Sequence, residues 1–102
     1  MTEWYEHLYM GEKAGKHRFD ILEKIRNKKG LGGIYLIVPA SNPANILDII
    51  PAGEIKKEWY EEKQDLFVVG VAKGYDEALE VAGRIVGTLY RTTGTFELER
   101  ML

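Results

Sequence analysis

The chain contains no cysteine and only two histidines. Without cysteine there can be no disulfide, no thiolate nucleophile and no cysteine-ligated zinc or iron–sulfur cluster. The histidines, His7 and His17, have no further ligand-type side chains at the spacing that a transition-metal site needs. We therefore expect no disulfide, no bound metal and no cofactor.

Long apolar runs and a strong net charge are also missing. No apolar stretch approaches the roughly 20 residues that cross a bilayer, and the first residues show no basic segment followed by an apolar one, so no secretory signal is expected. The net charge of −2 gives no overall attraction to nucleic acid. These features predict one cytoplasmic domain over residues 1–102, without membrane contact, whose small core would gain from oligomerisation.

Motifs for catalysis or nucleotide binding are absent as well. Ser41 is the single serine and lacks the G-x-S-x-G context of a nucleophile. The turn at Lys73 and Gly74 has the outline of a phosphate site, but neither glycine-rich phosphate motif is present. Asp76 and Glu77 also stand at the positive end of the following helix, which favours structural capping over anion binding. The sequence therefore favours a domain without catalysis of its own.

The segment 66–72, LFVVGVA, is apolar at every position that carries a side chain. A strand that is apolar on both sides is covered on both sides, so this segment predicts the centre of the sheet. Alternating or β-branched patterns predict further strands at 4–10, 33–38 and 46–50, with 95–98 as a candidate for a last short strand. Helices are predicted at 16–29, 53–63 and 75–91, a turn at 11–15 and a loop at 39–45.

The resulting order, β-α-β-β-α-β-α, predicts a small α+β two-layer sandwich. Its sheet would be mixed or antiparallel, with four to five strands and about three helices, and its first six elements fit a ferredoxin-like order. Segment 46–50 could also be a helix, which would favour a more parallel sheet.

The first predicted helix combines an apolar stripe with a basic surface. Phe19, Leu22 and Ile25, together with Ile21, form the stripe that should face the core. Residues 12–29 hold seven of the 14 basic residues. A solvated helix face is the ordinary explanation, and RNA binding through this helix is the weakest of three functional hypotheses.

Two glycines inside the last helix, Gly83 and Gly87, are the least expected residues. Each costs about 1 kcal/mol relative to alanine in a helix interior. They stand four residues apart, so they share one stripe with Tyr90. Close approach of another backbone would offset this cost, either from the protein's own sheet or from a second chain, and the two explanations remain open here.

Two further groups could line a small-molecule site. One is the aromatic face of the first strand, formed by Tyr5, His7 and Tyr9. The other is the polar loop with Ser41, Asn42 and Asn45. For both groups, local turn formation and ordinary packing are the favoured explanations.

The leading hypothesis is a non-catalytic domain that acts through self-association, as a homodimer, or through a protein partner, with Gly83, Gly87 and Tyr90 at the interface. The alternative is a small-molecule binding domain or enzyme whose pocket joins Ser41, Asn42 and Asn45 to Tyr5, His7 and Tyr9. The identity of any ligand or partner is not predicted.

Overall fold

The structure, a computed structural model, describes residues 2–54 and 66–102. Four strands form one sheet: β1 (Thr2–Met10), β2 (Ile34–Pro39), β3 (Leu47–Pro51) and β4 (Leu66–Lys73). The described helices are α1 (Glu12–Lys16), α2 (Arg18–Asn27) and α3 (Tyr75–Thr93), with short 3-10 turns at Ala52–Glu54 and Leu98–Arg100.

The sheet is mixed, with the order β1-β4-β2-β3. Strand β4 pairs in parallel with β1 and antiparallel with β2, while β3 pairs antiparallel with β2. The predicted α+β class and the central position of β4 are therefore confirmed. The parallel pairing of the first strand with the fourth differs from a ferredoxin-like sheet, in which the first strand lies in parallel beside the third.

Helices cover both faces of the sheet, so the molecule has three layers where the sequence predicted two. Alternate residues of β4 divide between two apolar clusters, with Val68 in one and Val69 in the other. Helices α1 and α2 contribute Ala14, Ile21 and Ile25 to the first-face cluster. Helix α3 contributes four residues to the second-face cluster: Ala78, Val81, Ile85 and Leu89.

The first helical segment differs from its prediction in two ways. Residues 12–16 form the short helix α1 instead of a turn, and α2 begins only at Arg18. Phe19 is 85% exposed, whereas Ile21 and Ile25 are buried. The reason is the helical period, since residues two apart on a helix point to nearly opposite sides. The predicted apolar stripe was therefore wrong at Phe19.

The other short elements show one confirmation and one correction. The strand predicted at 46–50 is confirmed as β3. No strand forms at 95–98; the hydroxyls of Thr93 and Thr95 hydrogen-bond within this turn, and Leu98 packs into the second-face cluster. Of the helix predicted at 53–63, Gly53 and Glu54 belong to the first 3-10 turn and the rest lies outside the described residues.

Candidate functional site

Two regions of the molecule carry features that its own packing does not require. One is the end of the sheet at the carboxyl ends of β1 and β4, and the other is the outer side of α3. At this end of the sheet the two parallel strands finish side by side, with Met10 next to Val71. The chain then continues into α1 on the first face after β1, and into α3 on the second face after β4. Neighbouring parallel strands whose helices leave to opposite faces create a crevice between them.

Glu77 joins the elements at this end of the sheet by hydrogen bonds. Its carboxylate accepts hydrogen bonds from the backbone N–H of Lys13 at 2.8 Å and of Ala14 at 3.1 Å. It also accepts one from the backbone N–H of Lys73 at 3.1 Å. A residue of α3 therefore caps the start of α1 and holds the end of β4, which satisfies N–H groups that a helix start leaves free.

The carboxylate of Glu77 is ionised at neutral pH in spite of its burial. Its residue is only 6% exposed, and burial by itself would raise the pKa of the carboxyl. The hydrogen bonds from the N–H groups of Lys73, Lys13 and Ala14, with the positive charge of Lys13, outweigh burial and lower the pKa below its ordinary value. Charge-assisted bonds of this kind are among the stronger hydrogen bonds in proteins.

Gly11 leaves room for this carboxylate. A Cβ placed on Gly11 would collide with the Glu77 side chain. The sequence indicated a capping role for Glu77, but at the start of its own helix, where Gly74 is the N-cap without a side-chain hydrogen bond. The actual partners lie more than 60 residues away for α1, and no local pattern in the sequence indicates them.

A cleft of about 430 Å³ opens at the same end of the sheet. Its lining residues are Lys13, Lys16, His17, Gly33, Lys73 and Gly74. The sequence analysis singled out Lys73 and Gly74 at this turn but did not place Lys13 and Lys16 opposite them. The cleft combines basic side chains from α1 and from the end of β4.

The second region is the outer side of α3. Leu79, Gly83, Gly87 and Tyr90 follow one another at spacings of four, four and three residues, so they form a single stripe, named here the outer stripe. Leu79 is 50% and Tyr90 54% exposed. A Cβ added to Gly83 would meet nothing within 4 Å, and one added to Gly87 would meet only the Arg91 side chain, at 3.5 Å.

Among the described residues, this geometry argues against one of the two explanations for the glycines, packing against the protein's own sheet. Neither glycine lies against the sheet, so internal packing does not offset their cost within residues 2–54 and 66–102. Phe96 extends the apolar surface beyond the stripe by stacking on Tyr90, with ring centroids 5.0 Å apart and planes 19° from parallel. Phe96 is itself more than half exposed.

The loop residues named by the sequence form local turn contacts. The backbone N–H of Ser41 donates to Asp48 Oδ2 at 3.1 Å, and its hydroxyl donates to the same oxygen at 3.3 Å. Asn42 Oδ1 accepts a hydrogen bond from the N–H of Ala44 at 2.9 Å. Asn45 lines a separate cleft of about 320 Å³ between this loop and the C-terminal turn.

The aromatic residues of β1 share one side of the strand, as predicted. Tyr5 stacks on Tyr9, with centroids 6.4 Å apart, and contacts His7 edge to face at 5.6 Å. Tyr5 and Tyr9 also pack against the second-face cluster, whereas His7 is exposed. Since β1 is at one edge of the sheet and the loop before β3 at the other, the structure does not join the two groups in one pocket.

The basic residues at 12–29 do not share one helix. Lys13 and Lys16 lie on α1 at the cleft. Arg18 and Arg26 lie on α2 and line a different depression together with Trp4 of β1. The exposure of Phe19 places one aromatic ring on the surface of α2. This corrects its assignment to the core but does not create the row of aromatic side chains typical of RNA-binding sheets.

Searches of known protein families, of curated proteins and of solved structures found no match to this chain. In the part of the chain that the structure describes, no cluster of three or more His, Asp or Glu side chains could hold a metal ion. The same residues include no helix long and apolar enough to cross a bilayer.

Proposed function

We propose that this protein acts through self-association and that the outer stripe of α3 is the contact between two copies. The observation that carries the proposal is the outer stripe as a whole, in which two helical glycines four residues apart lie between the half-exposed Leu79 and Tyr90, with open space around Gly83. A helix-interior glycine costs about 1 kcal/mol relative to alanine. No group in the described part of the chain lies close enough to Gly83 to clash with a side chain there, so packing within these residues does not require a glycine.

Contact with a second copy of the chain would offset the cost of the two helical glycines. Small residues four apart allow two helices to approach closely, and the half-exposed rings and aliphatic side chains around them provide apolar surface to bury. Leu79, Tyr90 and Phe96 flank the two glycines on this side of the molecule. Homodimers with twofold symmetry use one surface twice, so a single stripe suffices for both partners.

The experiment compares Gly83→Ala and Gly83→Leu with the wild-type chain by light scattering over a range of concentrations. We expect the wild type to show about twice the chain mass of 11.6 kDa and both variants to dissociate more readily, Gly83→Leu most of all. The added side chain has open space in the single chain but would separate the two helices in a dimer.

Gly15→Ala is the matched control, because Gly15 is also a helical glycine with nothing within 4 Å of an added Cβ. It lies on α1 and should leave the mass unchanged. A wild-type chain that is monomeric at all concentrations would contradict the proposal. So would a dimer that both Gly83 variants leave intact.

A further inference from the structure

The cleft at the carboxyl ends of β1 and β4 has the position of a binding site in open α/β sheets. Ligands in such sheets bind outside the carboxyl ends of the strands, where neighbouring connections leave to opposite faces. Here Gly11 leads from β1 into α1, and Gly74 leads from β4 into α3. The cleft is lined by α1, which follows β1, by Lys73 and Gly74 at the end of β4, and by Gly33 just before β2, and its volume of about 430 Å³ suits a small molecule.

The charge of the lining indicates what kind of molecule. Lys13, Lys16 and Lys73 line the cleft together with His17, and the described residues that line it include no carboxylate. In the described part of the chain, the ammonium groups of Lys13 and Lys73 form no ion pair. Lys16 has only a long pair with Glu12, at 3.8 Å, and both side chains are largely exposed, so this pair holds the lysine weakly.

One acidic residue of the adjoining helical turn, Glu77, is already engaged. Glu77 directs its carboxylate to three backbone N–H groups and is buried, so it does not neutralise the lysines by direct ion pairs. Its charge does offset part of their field, because it lies close enough to Lys13 for the two to interact. This offset limits the affinity for a simple anion, but the same carboxylate also joins the backbones of α1 and β4, so the backbone positions of Lys13 and Lys73 are set relative to each other before a ligand binds.

Two glycines keep the backbone wall of the cleft open. Gly33 and Gly74 both have positive φ, of 78° and 90°, and a Cβ on either would meet nothing within 4 Å. The N–H of Gly74 donates to the carbonyl of Gly33 at 2.7 Å, which joins the two sides of this wall. A ligand can therefore approach the backbone closely at these two positions, because neither glycine carries a side chain.

We propose that this cleft binds a small molecule through an anionic group, phosphate or carboxylate, held by Lys13, Lys16 and Lys73. Lysine acts as a point charge toward either group. The site is independent of the outer stripe, which lies further along α3, and it does not depend on dimerisation.

The test is an NMR titration of amide shifts with two probes, inorganic phosphate and malonate, at constant ionic strength. We expect saturable shifts centred on Gly33 and Gly74 with at least one probe, and the probe that binds more tightly identifies the preferred anionic group. Lys73→Gln and Lys13→Gln should each weaken binding by about tenfold, as expected for the loss of one charged contact. Both variants keep the backbone N–H that binds Glu77.

Lys24→Gln is the control of equal charge change, since Lys24 pairs with Asp20 on α2 and does not line the cleft. Its affinity for the probe should match the wild type. Gly83→Ala should also titrate like the wild type, which separates this proposal from the dimer. Shifts that do not saturate with either probe, or equal weakening by Lys73→Gln and Lys24→Gln, would overturn the proposal.

Discussion

The two sides of α3 meet very different surroundings. On the inner side Ala78, Val81, Ile85 and Leu89 are fully buried against the sheet. On the outer side Leu79 and Tyr90 are about half exposed, and a Cβ added to Gly83 would meet nothing within 4 Å. Both sides contain apolar residues at helical spacing, so periodicity alone does not show which apolar residues are core.

The glycines make the same comparison more sharply. Gly70 in β4 lies under the inner side of α3, where an added Cβ would be 3.1 Å from both Ile37 Cδ1 and Val81 Cγ1. Gly83, on the outer side, has open space. Close approach of α3 to the sheet therefore explains the strand glycine, while no contact among the described residues explains Gly83.

The largest expected contrast is between two leucines of this helix. Leu89 is 0% exposed in the second-face cluster, whereas Leu79 is on the outer stripe. Leu89→Ala should lower the free energy of unfolding by about 3 kcal/mol, because it leaves a cavity. Leu79→Ala should lower it by less than about 1 kcal/mol. Urea unfolding at a concentration where the chain is monomeric measures both, and equal losses would show that the two sides are packed alike.

Glu77 tests the attachment of α3 to α1. Glu77→Ala removes the acceptor of three backbone N–H groups and should destabilise the fold by about 2 kcal/mol. Asp76→Ala is the control, because Asp76 is exposed in the same helical turn. Equal melting of the two variants would mean that the cap contributes little.

The same carboxylate predicts a pH dependence with a definite sign. Because the pKa of Glu77 is lower in the folded chain than its ordinary value of 4.5, its ionised form stabilises the fold above that pH. The contribution is lost as the pH falls through the lower folded pKa. The stability difference between wild type and Glu77→Gln should therefore shrink as acid is added below pH 4.5. A difference that is constant or grows in acid would show that the folded pKa is not lowered.

The same substitution at two glycines should have opposite signs. Gly70→Ala should destabilise by about 1 kcal/mol, because Ile37 and Val81 must move to admit the methyl group. Gly83→Ala should stabilise the monomer by up to about 1 kcal/mol through helix propensity. Thermal melts at high dilution compare the two, and a destabilised Gly83→Ala monomer would reveal an intramolecular contact on the outer side.

The smallest effect is expected at the aromatic end of the outer stripe. Tyr90→Ala removes the stack on Phe96 and should cost the monomer about 0.5 kcal/mol. The same change should weaken the dimer, because it removes apolar surface from the proposed contact. Melts at high dilution and light scattering separate these effects, and an unchanged mass at all concentrations would place Tyr90 outside the interface.

The sequence by itself determined the elements whose signal is local. The apolar run of β4 and the period of α3 predicted a central strand and a long helix, and the structure contains both. A strand buried on both sides must consist of apolar residues, and a helix with one buried side repeats them every three to four positions. These constraints hold wherever the partner elements lie.

Only the tertiary structure decided which surfaces met. Phe19 and Ile21 are both apolar and lie on nearly opposite sides of α2, and the packing of α2 on the sheet buries only Ile21. The short helix α1 begins where Glu77 caps it from a distant part of the chain. The basic cleft likewise exists because β1 and β4 pair in parallel, which brings Lys13 and Lys73 to the same end of the sheet. Contacts between residues far apart in sequence depend on strand order, and strand order leaves no local pattern in the sequence.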